Sequence, residues 1–133
     1  MTPSIRFALL LALLPLCGAS AGAYALDCNK AATQADMNGC AGQDLSQADA
    51  ELNATYLAYR AKLRPAQQNQ IRDVQLAWLK YRDLSCRFES SNAAGGSAGG
   101  MVLQNCLADK TRQRTRELQA LSGCPEGDLA CVR

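Results

Sequence analysis

Leu45-Ser46-Gln47-Ala48-Asp49-Ala50-Glu51-Leu52-Asn53-Ala54-Thr55-Tyr56-Leu57-Ala58-Tyr59-Arg60-Ala61-Lys62-Leu63 is the stretch on which the fold reading turns. Leu45, Ala48, Leu52, Tyr56, Tyr59 and Leu63 recur at spacings of three and four, which puts them on one face of a helix. Charged and amide side chains fill the opposite side. Pro65 ends the pattern, because it disfavours helical geometry at Arg64 and has no N–H to donate. A second helical pattern follows, with Ile71, Val74, Trp78, Tyr81 and Phe88 on one stripe and Leu76, Leu79 and Leu84 off it. Being apolar on more than one side, this segment is expected at the centre of a bundle.

Ser91 to Gly100 are small residues that neither hold a helix nor bury much surface. A third helix is expected from about Met101 to Leu121, with Leu103, Leu107, Leu118 and Leu121 as its apolar points. Asp109 to Glu117 lacks a large apolar residue, so its middle is expected to face solvent or a partner. No segment alternates as a strand does. A short helical turn before the first long helix is expected from Thr33 as its cap, with Asp36 in the first turn. Short links favour antiparallel neighbours. The expected fold is therefore all-α, a small disulfide-stabilised antiparallel bundle of three main helices plus a short N-terminal turn.

The first 25 residues read differently. Arg6 gives a positive start, Phe7 to Leu16 carry no charge, and small residues run from Ala19 to Ala25. Ten apolar residues rise only ~15 Å as a helix, half of a bilayer core of ~30 Å. A cleavable signal peptide fits better than a membrane anchor. Ala23-Tyr24-Ala25 is the best cleavage site, with Ala19-Ser20-Ala21 second. Lipidation of Cys17 is the minor alternative, since the residue before it, Leu16, is large. The expected organisation is a leader over 1–25, a helical domain over 26–121 and a short tail over 122–133.

Beyond the leader remain Cys28, Cys40, Cys86, Cys106, Cys124 and Cys131. An even set in an exported domain reads as three disulfides. Zinc would want close CxxC pairs or histidine, and the chain has neither. An up-down-up bundle gathers Cys28, Cys40, Cys86 and Cys106 at one end. Cys40–Cys86 with Cys28–Cys106 is preferred, with Cys86–Cys106 and Cys28–Cys40 almost as good. Cys124 and Cys131 close a small loop of their own. Each bridge should stabilise by roughly 2–4 kcal/mol.

Charge is near balance, with 14 Lys and Arg against 12 Asp and Glu, but it is unevenly spread. Between Leu26 and Tyr59, Asp27, Asp36, Asp44, Asp49 and Glu51 face a lone Lys30; from Arg60 onward bases dominate. Such a surface gives no strong pull toward nucleic acid. The absence of histidine removes the usual proton shuttle and the commonest metal ligand. No catalytic, metal or cofactor-binding residue is assigned, and no cofactor is expected.

One ordered set of residues points to a family. Cys28, Thr33, Asp36-Met37 and Cys40-Ala41 are followed by Ala48-Asp49, Leu52-Asn53 and Tyr56. Gln75, Ala77-Trp78-Leu79, Tyr81-Arg82-Asp83 and Cys86 form a second block, and Cys106-Leu107, Thr111, Arg114 and Leu118 a third. With these the sequence resembles the lysozyme-inhibitor LprI N-terminal-domain family of bacterial exported proteins, over roughly Asp27 to Leu121. The resemblance implies a helical periplasmic or secreted domain and, in one branch, inhibition of lysozyme. Cys124 and Cys131 lie outside its pattern.

The candidate partner-binding residues are Asp36, Asp49, Asn53, Arg82, Asp83 and Ser97. Asp49 and Asn53 share a helix face, and Arg82 and Asp83 sit beside Trp78 and Tyr81, where a structural role competes with recognition. Ser97 is the side-chain hydroxyl between the glycines of the exposed segment. Lys110, Arg112, Arg114 and Arg116 alternate, which spreads them around a helix; only Lys110/Arg114 and Arg112/Arg116 share faces, and a solvated setting is expected for them. The leading expectation is a protein that occludes the cleft of lysozyme or another cell-wall hydrolase. The alternative is an envelope adaptor or immunity protein with a different protein partner. An Asp-pair hydrolase has no nucleophile motif or evident cleft in its favour. Oligomeric state is left open by the sequence.

Overall fold

A computed structural model of the chain describes residues 26–125 and 127–132. The leader, with Cys17 and both cleavage candidates, lies outside the described residues. A 3-10 turn at Cys28–Lys30 precedes α1 (Gln34–Arg60), α2 (Pro65–Glu89) and α3 (Gly99–Ser122), with a second 3-10 turn at Ser91–Ala93. Among the described residues there is no strand. The all-α reading is correct.

Local chemistry sets the boundaries. The Asp36 N–H donates to Thr33 Oγ1 and the Thr33 N–H to Asp36 Oδ2, both at 3.1 Å, a reciprocal cap that starts α1. The expected separate turn at Thr33 is therefore the first turn of α1 itself. That helix runs on without a break past Gly39 and Gly42. Pro65 is the first residue of α2, where its missing N–H costs nothing. Ser90 Oγ donates to the Cys86 carbonyl at 2.7 Å and helps to close α2.

α1 and α3 run parallel and approach each other closely along their length. Their starts are tied by the Met101 N–H donating to Asn38 Oδ1 at 3.1 Å, and their ends by Lys62 Nζ donating to Ser122 Oγ at 2.7 Å. Small buried residues, Ala41 and Ala48 on α1 and Ala108, Thr111 and Thr115 on α3, permit that approach. α2 descends antiparallel and packs chiefly on α3. The centre of the bundle is thus α3, which corrects the expectation for α2. Much of α2's apolar surface, Val74, Leu76, Tyr81, Leu84 and Phe88, is exposed.

The middle of α3 corrects a second expectation. It is buried, because Thr111, Arg114 and Thr115 find hydrogen-bond partners inside the bundle, Arg114 through Nε and Nη1 while its Nη2 has none. The apolar core sits lower down, where Leu52, Tyr59, Leu63 and Leu118 meet with Tyr56, Ile71 and Trp78 packed against them. The opposite end is held by Cys28–Cys40 and Cys86–Cys106. The preferred pairing, Cys40–Cys86 with Cys28–Cys106, is wrong. α2 docks on α3 here, so Cys86 meets Cys106, and Cys40 is left to the turn that precedes its own helix. Cys124 and Cys131 are joined, and Val132 beside them accepts from the Tyr59 hydroxyl at 3.4 Å.

Burial separates two leucines of similar sequence appearance. Leu118 is fully buried, whereas Leu84 is 54% exposed. Leu118→Ala is expected to destabilise by about 2–5 kcal/mol through lost burial and the cavity left behind. Leu84→Ser should change stability by less than about 0.5 kcal/mol. Urea unfolding of the oxidised variants checks both.

Candidate partner-binding site

Arg82 lies on the face of α2 turned toward both other helices and is almost wholly buried. Its Nη1 donates to Asp49 Oδ1 on α1 at 2.7 Å and to Thr111 Oγ1 on α3 at 2.9 Å. Its Nε donates to the neighbouring Asp83 Oδ1 at 3.0 Å. The guanidinium carbon stands 5.5 Å from the Trp78 ring centre, one turn earlier on α2. Arg114 of α3 approaches the same ring at 6.0 Å, donating through Nε to Gln75 Oε1 at 3.1 Å and through Nη1 to Glu117 at 3.0 Å. Two guanidinium groups therefore share one indole, an arrangement that favours cations over a quadrupolar ring.

The carboxylates that answer Arg82 are placed where water reaches. The side chains of Asp49 and Asp83 are 46% and 42% exposed, against 11% for that of Arg82. One buried cation facing two carboxylates leaves this cluster acidic by one charge, with Arg72 on the neighbouring groove wall to offset it. Beside this cluster, between α1 and α2, lies a groove of about 310 Å³. Asn53 and Tyr56 continue its α1 wall beyond Asp49, and Leu76 and Leu79 form the apolar α2 wall. Such a groove, apolar along its walls with a few fixed polar groups, suits a side chain of a partner. Among the described residues no group of three or more His, Cys, Asp and Glu could hold a metal.

The structure thus brings Asp49, Asn53, Arg82 and Asp83 together and sets the other two candidates apart. Asp36 is engaged in the cap of α1. Ser97 is exposed in the glycine segment, and its carbonyl accepts from Asn38 Nδ2 at 2.9 Å. Asn38 precedes Asp49 by 11 positions, about 16 Å along a helix axis. Gly95 has φ +81°, a left-handed conformation that side chains disfavour. A Cβ on Gly99 would stand 2.6 Å from the Ala93 carbonyl oxygen, so the segment closes on itself tightly.

The basic run of α3 is not one solvated face. Arg114 is buried, Arg112 binds Asp44 of α1 and Asp109, and Lys110 binds Glu89 of α2 at 3.0 Å. The Asp44 hydrogen bond chiefly raises the Arg112 pKa above its ordinary value. Sequence reasoning missed Gln75, Thr111 and Arg114 as buried network members. Thr111 carried a partial signal, since it stands at helical spacing from Thr115 and Leu118, whereas Gln75 and Arg114 carried none.

The lysozyme inhibitor LprI family matches residues 28–118, a span that holds the two end disulfides and the whole Arg82 network. This chain belongs to the lysozyme inhibitor LprI family. An uncharacterized protein of Rhizobium meliloti (strain 1021) is 39% identical over 126 residues, covering 84% of this chain and 91% of that protein. No solved structure matches the chain. The Cys124–Cys131 loop lies beyond the LprI match.

Removing Arg82 leaves Asp49 and Asp83 accessible to water but strips Thr111 and Trp78 of a partner. Arg82→Met should therefore destabilise by about 1–3 kcal/mol, below the usual cost of breaking a fully buried pair. Thermal melts of the oxidised protein measure it.

Acid should weaken the helix junctions. The Thr33 hydroxyl, then its N–H, lowers the Asp36 pKa, and the Ser85 hydroxyl, then Lys110, lowers that of Glu89. Both folded values lie below the unfolded ones. Their contributions are thus complete above about pH 4–5 and are lost as pH falls through the folded values. Thr33→Ala should raise the Asp36 pKa, read by carboxyl NMR titration; an unchanged value would remove the Thr33 hydroxyl as a cause and leave its N–H.

Proposed function

We propose that this chain is exported, cleaved after Ala25, and acts without catalysis as an inhibitor that occludes the cleft of lysozyme or a related cell-wall hydrolase. Membership of the LprI family and three disulfides support export and a protein partner of this kind. Among the described residues no helix is long and apolar enough to cross a membrane.

The observation that carries the cleft reading is the glycine segment at the disulfide-bonded end. It is narrow, because its side chains are small, and it is braced on both sides. Asn38 holds the Ser97 carbonyl and the Met101 N–H, while Cys86–Cys106 joins the helices that flank it. A braced loop loses little freedom on binding. From Ser90 to Ala108 there is no acid and no base. Lysozyme works with two carboxylates in its cleft. An uncharged loop offering the Ser97 hydroxyl and backbone N–H groups can approach them without like-charge repulsion. Asp36 at the same end would help to steer a basic enzyme toward it, Asp27 and Asp44 being paired with Lys30 and Arg112. The Asp49–Arg82 groove, with Asn53 on its wall and Asp83 beside it, then takes a second contact further along α1.

The test is lysozyme clearing of a suspension of susceptible cells, with disulfide-bonded protein purified from the periplasm added in increasing amounts. Dose-dependent protection is expected from the oxidised form alone, weakening as salt rises. Ser97→Glu should weaken inhibition roughly tenfold or more with unchanged circular dichroism, because it sets a carboxylate against the cleft pair. Absence of protection at large molar excess of folded protein would overturn the reading and leave a binding domain with another partner.

A further inference from the structure

The outward side of α2 carries a pattern that neither the groove nor the loop uses. Val74, Ala77, Tyr81, Leu84 and Phe88 recur at spacings of three, four, three and four. That is the a/d repeat of a helix seam, whose natural complement is another helix. All five are exposed, Tyr81 by 60% and Phe88 by 80%. On a helical wheel the stripe centres about 140° from the inner face that carries Gln75, Arg82 and Cys86. It therefore belongs to a different surface from the Asp49–Arg82 groove. On its α3 side it is walled by Lys110, whose Nζ lies 5.7 Å from the Tyr81 ring centre and 3.0 Å from Glu89.

We propose that this stripe is a self-association surface on which a second copy of the chain docks through its own α2, antiparallel. The charges beside the seam select both the partner and the direction. Asp73, Lys80 and Arg87 flank it on the solvent side at one heptad position, while the opposite flank carries Ile71, Trp78 and Ser85 beside Lys110 and Glu89, which are paired with each other. In a parallel pair each charged flank would lie against one whose Lys110 and Glu89 already neutralise each other, and would gain little. In an antiparallel pair like flanks face each other, so Asp73 of each copy comes beside Arg87 of the other. Two attractive pairs result, against a single Lys80–Lys80 repulsion at the centre. The existing Arg72–Asp73 pair, at 2.9 Å, is exposed on both sides and is readily exchanged.

The size of the stripe sets the strength. Five side chains so exposed offer on the order of 400 Å² per copy, about half of what a standard interface buries on each partner. The dimer should accordingly be weak, with a dissociation constant roughly in the 100 µM range. Antiparallel pairing would leave one glycine loop at each end of the dimer. The inference does not rest on the inhibitor reading and stands or falls separately from it.

Sedimentation velocity of the periplasm-purified, disulfide-bonded protein, from about 5 to about 500 µM, tests it. A weight-average coefficient rising from monomer toward dimer is expected. Leu84→Glu should hold the protein monomeric throughout, with unchanged circular dichroism because the site is exposed. Asp73→Arg and Arg87→Asp should each weaken association about fivefold or more, and the two together should restore it to within about twofold. Lys80→Gln should tighten it. A wild-type protein that stays monomeric at the highest concentration would overturn the proposal, as would a double swap that fails to restore association. Binding to anionic vesicles by a protein that remains monomeric would likewise overturn it, assigning the stripe to a membrane.

Discussion

A guanidinium group placed where three helices meet must be satisfied by all of them, and that requirement organises this bundle. Arg82 reaches Asp49 on α1, Thr111 on α3, and Asp83 and Trp78 on its own helix. A buried cation is costly unless paired and hydrogen-bonded. Sliding one helix against another would break at least one of its bonds, so the contact fixes register in a way that non-directional apolar packing cannot. Its position is equally consequential. Asp49 and Asp83 stay at the edge of the bundle, and the charge that stabilises the interior also forms the polar rim of the α1–α2 groove.

The remaining stabilisation is divided between the two ends. Leu52, Tyr59, Leu63 and Leu118 hold the end near the α1–α2 link by burial. The other end has little large apolar volume, because close approach of α1 and α3 demands alanine and threonine there. Disulfides take over at that end, where Cys28–Cys40 pins the entry to α1 and Cys86–Cys106 pins the exit of α2 to the start of α3. The division fits a binding role. A loop of small residues gains little from its own packing, and it is held by the covalent frame and Asn38 instead.

Much of the fold was legible in residue spacing. The apolar stripe from Leu45 to Leu63, the stop before Pro65 and the small residues from Ser91 to Gly100 correspond to α1, the start of α2 and the α2–α3 link. The Thr33 cap was legible, although it opens α1 itself and not a separate turn. The errors share one cause. Periodicity ranks helices by how much apolar surface they carry, and α2 carries the most, yet α3 is central because its small and polar residues admit a neighbour on two sides. The same blindness put the middle of α3 in solvent, since Thr111 and Arg114 look exposed until their partners on α1 and α2 are known. Asp49 and Asn53 could be paired as neighbours on one helix, and so could Arg82 and Asp83. That the two pairs meet was beyond the reach of local spacing.

By itself, then, the sequence determined the helices, their order, the even cysteine set and the family pattern, because caps, prolines and apolar periods act within a few residues of the chain. The tertiary structure alone decided which helix is the hub, which cysteines pair and which charges are buried. Those depend on how closely two helix axes approach, and that distance is set by side chains far apart in sequence. Ala48 and Ala108 let α1 and α3 close together, α2 then docks on α3, and Cys86 is carried to Cys106.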